Sequence, residues 1–474
     1  MRSLKPLQWA GLLVGLSVAG YFAYSRMQVF SNISFLAGIL LFEIFIATIW
    51  KYDQRFFILL IIAFAWAGMA VPLESAWING RWAVLAVGAV AGCIVWTRSP
   101  RGRFGAFHLI AFFCICAAFV SATVSSFSQM ALLKSSSLLL LFSYCATGAR
   151  LAFLGREDRF FPALLLGSEI AVYGTAICYL GLGEQIWGNP NSLGAVMSVA
   201  LFPVLLWGWF TSEAQGVRIR RLVALLLCTY LAFFSMARAA MVSVTVVTIV
   251  SCFCLRQYRL LMKVAAMVLL LVAVTGTLAP DALSLRFGEL KDAVLYKGHK
   301  EEGLMGSRRT PWEKSIASIK EHPWFGTGYG TSATGEDPGS SSGQFASSSE
   351  ASREHGSSYM SIAEWVGVLG VVPFVALLAI TVSNLWKVGV WMRQTADPRH
   401  YSIPLAMVVL AGLVDASFED WLFAVGYYLC VFVWVFAFVL ADLVPDAALV
   451  PVAGSASRAS RPSPADFGTI LPTR

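Results

Sequence analysis

Long apolar runs alternate with short polar connections along most of the chain. Each run is long enough to cross a hydrocarbon core of about 30 Å as a helix. The runs predict spans at residues 7–24, 31–50, 56–73, 81–97, 104–124, 130–149, 161–181, 191–210, 221–235, 238–255, 262–280, 358–386, 402–418 and 421–442. This pattern predicts an all-α fold, namely a polytopic integral membrane helical bundle of about 12–14 spans.

The stretch from 221 to 255 is apolar almost throughout and is long enough to be one continuous run. Arg238 lies in its middle, and an unpaired arginine at the depth of the bilayer is costly. We therefore predict a turn at Arg238 that separates one span from the next.

Composition supports a membrane protein. The 474 residues are 58% hydrophobic and only 13% charged, and the mean hydropathy is +0.70. These values exclude a soluble globular domain. The net charge of +8 is attributed to membrane topology, so no nucleic-acid partner is expected. The cysteines all lie in apolar segments, where small buried packing residues are the expected role and disulfides are not.

One long polar loop and a polar tail divide the chain. Residues 1–280 are predicted to form an N-terminal transmembrane bundle of about eleven spans. Residues 281–357 form a large loop, and 358–442 form the C-terminal spans. Residues 443–474 are rich in proline, serine and alanine, which predicts a disordered tail.

Lysines and arginines in the short connections predict the orientation. If the N-terminus is inside, the inner connections hold most of these residues, and the short outer ones hold only Arg26, Arg81, Lys134 and Arg238. An even number of spans then leaves both termini in the cytoplasm and the 281–357 loop outside, which in a bacterium means the periplasm. We expect a multi-pass protein surrounded by membrane lipid, which in a bacterial cell would lie in the inner membrane.

The long loop carries a helix signal near 311–321. Thr310 is placed as its N-cap, Pro311 as its first residue, and Glu313 as the acid three residues after the cap. Trp312, Ile316 and Ile319 then fall on one helical face, and His322-Pro323 ends the helix.

Several anion-binding features are predicted to meet at the outer face. Spans begin there at Asn189-Pro190-Asn191, at Arg238 and at Ser358. Helix N-termini favour anions, and a guanidinium binds phosphate oxygens as a fork. Arg308 or Arg309, just before the loop helix, would add a second guanidinium. Two arginines and helix ends can hold a pyrophosphate without a metal, and no acid or histidine cluster predicts a metal site.

His355 is the candidate for proton transfer at this face, because imidazole titrates near neutral pH and can take a proton from an attacking hydroxyl. Asp415, Glu419 and Asp420 follow at the outer end of a later span. They are placed to meet the loop arginines or to orient His355.

The order and spacing of five short motifs over residues 185–372 resemble the bacterial O-antigen ligase and polysaccharide polymerase family. The motifs are Gly188-Asn189-Pro190-Asn191-Ser192-Leu193-Gly194, Ser235-Met236-Ala237-Arg238-Ala239-Ala240, Ser307-Arg308-Arg309-Thr310-Pro311-Trp312, His322-Pro323-Trp324-Phe325-Gly326-Thr327-Gly328-Tyr329-Gly330, and His355-Gly356-Ser357-Ser358-Tyr359-Met360 with Glu364, Gly367 and Gly370. One departure is Gly356, since the family often has asparagine after the histidine.

The resemblance implies a type C glycosyltransferase-like membrane fold. It also implies that a glycan is transferred from undecaprenyl pyrophosphate to an acceptor glycan or lipid A core, without metal or cofactor. Arg238 and either Arg308 or Arg309 would hold the donor pyrophosphate. His355 would activate the acceptor hydroxyl or steady the transition state. The supporting residues would be Asn189, Asn191, Tyr359 and Glu364.

Other function classes remain open from the sequence. A polysaccharide transporter or lipid-linked-sugar flippase would use the spans without covalent chemistry. Glu43 and Glu169, two acids inside spans, would then mark a proton pathway, although interhelical hydrogen bonds are the preferred interpretation of both. O-linked protein glycosylation would differ from ligation or polymerisation only in the acceptor, and a structural scaffold would have no transfer activity.

Overall fold

A computed structural model of the protein describes residues 54–69, 74–98, 100–263, 265–266, 306–332 and 353–445. Within these ranges every regular element is a helix. The helices are α1 (Gln54–Trp66), α2 (Glu74–Arg98), α3 (Ala106–Val124), α4 (Ser128–Phe153), α5 (Glu157–Leu182), α6 (Pro190–Phe210), α7 (Gln215–Phe234), α8 (Arg238–Cys254), α9 (Gly306–Glu321), α10 (Ser358–Thr395), α11 (Ser402–Asp415) and α12 (Tyr428–Leu443). The predicted spans at 7–24 and 31–50 lie outside the described residues, and so does Glu43. Most of the long loop, most of the predicted span at 262–280 and most of the tail lie outside them as well.

The described helices have the length and composition of membrane spans. Six of them, α2 to α6 and α10, are long and apolar enough to cross a membrane, and α1, α8, α11 and α12 contain shorter apolar helices. Large apolar side chains on their outer faces are exposed, among them Leu109, Phe112 and Val372. Such contiguous exposed apolar faces are typical of surfaces that contact lipid. The prediction of an all-α polytopic membrane fold is confirmed, and the total of about 12–14 spans stays a prediction.

Helix α12 is the centre of the bundle. Every residue from Tyr428 to Leu440 is buried, as expected of a helix that is apolar on all sides. The predicted span at 421–442 was wrong in its start, because residues 416–427 form turns instead. Ser358 fixes these turns, since its hydroxyl donates to the Glu419 carbonyl and accepts from the Leu422 amide at 2.7 and 2.9 Å.

The predicted turn before Arg238 is present. Helix α7 ends at Phe234 and α8 begins at Arg238. Met236 lies between them with a φ of +54°, a left-handed conformation that reverses the chain direction tightly. Arg238 is therefore the first residue of α8 and not a charge in the middle of a span.

The two ends of the bundle are named here after a buried residue that lies at each of them. At one end, here called the Arg150 end, buried Arg150 pairs with Asp442 at 2.6 Å. Glu169 pairs with Arg220 at 2.8 Å, and Arg221 lies 3.6 Å from it. The acid in this span is thus paired, as the membrane interior requires. The opposite end, here called the His355 end, contains the starts of α8 and α10 and the last residue of α11, Asp415.

Helix α10 is broken at Gly367, whose φ of +65° and ψ of −176° are not helical. Residues 323–328 fill the break. The amides of Thr327 and Gly328 donate to the carbonyls of Glu364 and Trp365 at 3.0 and 3.1 Å. On the far side, the Val368 amide donates to the Pro323 carbonyl at 2.7 Å. The glycine-rich motif after His322 therefore satisfies backbone groups that the break exposes, which a membrane helix cannot leave unpaired.

Alanine at Gly367 is expected to lower the apparent unfolding temperature of the purified protein. A Cβ there would lie 2.5 Å from the Gly326 nitrogen, and the backbone conformation is one that only glycine adopts readily, with strain of about 1–3 kcal/mol for other residues. Thermal unfolding in detergent measures the effect. Gly389→Ala in the same helix is the matched control, because its Cβ would meet only Cys254 Sγ at 3.6 Å. Equal unfolding temperatures for the two variants would contradict the prediction.

Candidate functional site

The first two sequence motifs pack directly against each other at the His355 end. Asn189 caps α6, as predicted, and its side chain accepts a hydrogen bond from the Ser192 amide at 2.8 Å. Gly194 faces the turn before Arg238. A Cβ on Gly194 would lie 2.5 Å from the Ser235 hydroxyl and 2.7 Å from the Ala237 Cβ. This close packing fixes the start of α8, and with it the position of Arg238.

A cavity of about 480 Å³ opens beside this contact. It is lined by Tyr179, Gln185, Asn189, Pro190, Asn191, Leu193, Phe234, Ser235 and Met236. Both asparagines singled out in the sequence therefore lie on its wall, and the turn that leads to Arg238 forms another wall. The lining combines amides with aromatic and aliphatic side chains, a mixture suited to an amphipathic ligand.

Helix α9 begins at Gly306, so the sequence prediction of its start was wrong. Thr310 is not its N-cap, and Pro311 lies inside it. Arg308 and Arg309 consequently lie within the first turns of the helix and not before it. Of the three residues predicted to share one helical face, Ile316 is 46% exposed, whereas Trp312 and Ile319 are half-buried. Among the described side chains of α9, the buried ones are Arg308, Ser315 and Ser318.

The two neighbouring arginines point in different directions. Arg308 is 9% exposed, and it donates to Glu354 at 2.7 Å and to Glu419 at 2.8 Å. Arg309 is exposed and pairs with Glu313 on its own helix at 2.8 Å. Arg308 is therefore the arginine that this helix brings into the site.

Arg238 lies close enough to Arg308 and Glu419 for their charges to interact with it. The start of α8 and the first turn of α9 thus bring two guanidiniums to the same end of the bundle. The indole N–H of Trp312 is buried beside Arg308 and has no hydrogen-bond partner among the described residues. Three groups that can donate hydrogen bonds to an anion are therefore gathered here.

His355 is buried just before α10, with 1% of its side chain exposed. Its Nδ1 lies 3.3 Å from Asp420 Oδ2, and its backbone amide donates to the same oxygen at 3.0 Å. On the other side of the ring, Nε2 lies 3.0 Å from the Ser332 hydroxyl and 3.5 Å from Glu364 Oε2. The contact with Asp420 agrees with the hypothesis that this acid orients His355.

The carboxylates beside His355 set its protonation. Burial alone lowers the pKa of His355, but hydrogen bonds and charge interactions with Asp420 and Glu364 outweigh burial, so the pKa is raised. The pKa of Asp420 is lowered, since its bonds to the imidazole and the His355 amide outweigh burial. The pair therefore favours a carboxylate that stabilises a positively charged imidazole.

Arg353 and Ser332 also belong to this site, although neither was singled out as a site residue in the sequence. Arg353 pairs with the fully buried Glu364 and donates to the Ser315 hydroxyl at 3.1 Å. Ser332 reaches the imidazole from the end of the glycine-rich motif. Two features of the sequence could have identified Arg353. It lies two residues before His355, and an acid, Glu364, lies inside the predicted span that follows.

Gly356 has a φ of +70°, in the left-handed region. A Cβ there would lie 2.9 Å from Arg308 Cδ. Glycine after the histidine is therefore suited both to the backbone turn and to the approach of Arg308. Tyr359, in contrast, donates its hydroxyl to the Leu413 carbonyl at 2.7 Å, so it attaches α10 to α11 instead of facing the charged groups.

Comparison with known proteins bears on the same part of the chain. Residues 222–375 match the family model described as O-antigen ligase. The matched region contains Arg238, Arg308, Arg353, His355 and Glu364, and it ends shortly after the break in α10. The match confirms the resemblance found in the motifs. No curated protein matches the chain.

Proposed function

From the O-antigen ligase match at residues 222–375, which indicates a membrane glycosyltransferase of the ligase or polymerase type, we propose the reaction and the roles of the site residues. The protein transfers a glycan from polyprenyl pyrophosphate, such as undecaprenyl pyrophosphate, to a sugar hydroxyl on an acceptor glycan or lipid A core. The observation that supports this most is the convergence of Arg238 and Arg308 beside buried His355 at one end of the bundle.

In the proposed step, the acceptor oxygen forms a bond to the anomeric carbon of the donor glycan. The bond from that carbon to the pyrophosphate oxygen breaks, and polyprenyl pyrophosphate leaves with the electron pair. The acceptor hydroxyl gives its proton to the imidazole of His355. Pyrophosphate is a stable leaving group once its charge is compensated, so the protein must position the reactants and stabilise charge.

Arg238 and Arg308 hold the pyrophosphate in this proposal. The guanidinium of Arg308 is oriented by Glu354 and Glu419, so it is organised before the donor binds. Glu354 has 67% of its side chain exposed. Its carboxylate binds the Arg308 guanidinium in the position that a phosphate oxygen of the donor would take. The Trp312 N–H, which has no hydrogen-bond partner in the described part of the chain, adds a donor next to it. The neighbouring cavity, which Asn189 and Asn191 line, is suited to the next part of the donor.

His355 acts as the base in this proposal. With Nδ1–H donated to Asp420, the lone pair on Nε2 faces the Ser332 hydroxyl at 3.0 Å. The Ser332 hydroxyl therefore marks the position in which an acceptor hydroxyl would give its proton to Nε2. Asp420 and Glu364 stabilise the imidazolium that forms, as a buried carboxylate does for a catalytic histidine. Arg353 holds Glu364 in place.

Transfer by the purified protein tests the function itself. The protein in lipid nanodiscs is supplied with a polyprenyl-pyrophosphate-linked glycan and an acceptor glycan, and the product is followed by mass spectrometry. We expect glycan to move to the acceptor, polyprenyl pyrophosphate to be released, and the reaction to continue in a metal chelator.

The same experiment separates transfer from transport. The protein is also placed in sealed vesicles with the lipid-linked glycan. Movement of the glycan across the bilayer, with no release of polyprenyl pyrophosphate for any acceptor, would identify a flippase. In cells that lack the protein, long lipid-linked chains would indicate a ligase, single repeat units a polymerase. Transfer to a protein acceptor in place of a glycan would indicate O-linked protein glycosylation.

A further inference from the structure

A second charged cavity lies at the Arg150 end of the bundle, far from the proposed site along the helices. Its volume is about 340 Å³. It forms where the ends of α6, α8 and α10 meet the start of α7 and the segment after α8. The lining residues are Trp209, Phe210, Arg218, Leu255, Gln257, Arg259, Leu260, Lys263, Ala396 and Pro398.

The charge of this lining is positive. The described residues of the lining include Arg218, Arg259 and Lys263 and no carboxylate. Among the described residues, none of these three cations forms an ion pair. The nearby acids are engaged elsewhere: Glu213 pairs with Arg399 at 2.6 Å, and Asp397 accepts from the Arg399 amide at 3.0 Å.

Aromatic and apolar side chains surround the cations. The Arg218 guanidinium lies 5.4 Å from the centre of the Trp209 ring, a cation–π distance that holds the charge beside the cavity. Exposed apolar side chains are adjacent in sequence to these cations: Ile219 follows Arg218, Tyr258 precedes Arg259, and Met262, which is 69% exposed, precedes Lys263. The exposed face of α7 continues this apolar surface along the span through Val223 and Leu226.

We propose that this cavity binds the headgroup of an anionic phospholipid. The phosphate would lie among Arg218, Arg259 and Lys263, and the acyl chains would lie along the exposed apolar face of α7. A basic pocket between helix ends binds anionic lipid headgroups by charge, while apolar surface next to it selects a lipid over a free ion. The exposed apolar flank is the reason to commit to a lipid and not to free phosphate.

Lipid titration of the full-length protein tests the proposal. Native mass spectrometry in detergent measures binding of phosphatidylglycerol and of phosphatidylcholine to the wild type and to the triple variant Arg218→Ala/Arg259→Ala/Lys263→Ala. We expect phosphatidylglycerol to bind the wild type more tightly than phosphatidylcholine, and the triple variant to lose about tenfold or more in phosphatidylglycerol affinity.

A matched control removes the same charge elsewhere at the Arg150 end. Arg98, Arg103 and Arg159 are exposed, and replacing all three by alanine should leave the tight phosphatidylglycerol binding unchanged. Equal losses in both triple variants would overturn the proposal, since they would mean that only the overall charge matters. So would equal binding of phosphatidylcholine by the wild type.

Two further measurements keep the test decisive. If the triple variant does not fold, Arg259→Gln alone should weaken phosphatidylglycerol binding in the same direction, by about threefold. Inorganic phosphate without lipid should not raise the apparent unfolding temperature, whereas phosphatidylglycerol should. Protection by phosphate equal to that by the lipid would identify a free-anion site and overturn the lipid assignment.

Discussion

Alanine at Arg308 is expected to lower glycan transfer by about 10²–10³-fold, whereas alanine at Arg309 should leave it within about twofold of the wild type. The two residues are adjacent on α9, carry the same charge and differ in direction. Arg308 is buried between Glu354 and Glu419, and Arg309 is exposed and pairs with Glu313. Comparison of the two variants therefore distinguishes the effect of a guanidinium held in the site from the effect of losing one positive charge anywhere on the helix.

The physical reason lies in the leaving group. Negative charge grows on the pyrophosphate as the bond to the anomeric carbon breaks, so a guanidinium positioned there stabilises the transition state more than the bound donor. The loss should consequently be larger in kcat than in KM. Arg308→Lys keeps the charge but loses the bidentate fork, and we expect it to recover only part of the activity.

Steady-state transfer kinetics with a lipid-linked donor measure both variants. Because Arg308 also joins Glu354 and Glu419, thermal unfolding must show that Arg308→Ala is folded at the assay temperature. Arg238→Ala should behave like Arg308→Ala, and the double variant should lose less than the product of the two single losses if both hold the same pyrophosphate. Comparable losses at Arg308 and Arg309, or none at either, would exclude the proposed role.

The sequence identified most of this arrangement where the signal was local. The cap at Asn189 and the turn before Arg238 each depend on a few neighbouring residues, and both agree with the structure. Of the three acids placed to meet His355 or a loop arginine, Asp420 contacts His355 and Glu419 pairs with Arg308, whereas Asp415 accepts a hydrogen bond from the Trp421 indole. Helix chemistry and the requirement to avoid an unpaired charge in a span act on just such short segments.

The sequence misjudged α9 because its inner face serves the site instead of an apolar core. Thr310-Pro311 is a strong start signal, but the helix begins at Gly306 and passes through Pro311. Which of two adjacent arginines faces inward depends on rotation about the helix axis, at about 100° per residue. That rotation is set by contacts with Glu354 and Glu419, which are far away in sequence.

Arg353 and Ser332 were missed for the same reason. Ser332 lies at the start of a serine- and glycine-rich stretch, a composition typical of mobile loops, yet it is 1% exposed against His355. Arg353 belongs to the site because it pairs with Glu364. The break at Gly367 and the 323–328 segment hold Glu364 beside the imidazole. No local pattern predicts a contact that depends on how a broken helix is filled.

The pH dependence of transfer should be governed by His355. Its pKa is raised above the usual value by Asp420 and Glu364, against the effect of burial. If the neutral imidazole is the base, kcat/KM should rise with pH through this raised pKa and level off above it. His355→Ala should lower transfer by about 10²–10⁴-fold and abolish this acid limb.

Asp420→Asn provides the sharper test, because it changes the pKa while leaving the imidazole in place. Removing the Asp420 carboxylate removes one of the groups that raise the pKa of His355. The acid limb of kcat/KM should therefore move to lower pH, and the plateau should fall because the imidazolium loses a stabilising charge. A purely structural role for Asp420 would lower the plateau without moving the limb.

His322→Ala is the matched control for both variants. His322 lies in the same loop, is exposed and is followed by Pro323, so its loss should change neither the rate nor the pH profile. Transfer that falls as pH rises through the same range would mean that the charged imidazolium is the active form. His355 would then steady the developing negative charge instead of accepting the proton. The acceptor proton would need another base, and Glu364, whose Oε2 lies 3.5 Å from Nε2, is the candidate among the described residues.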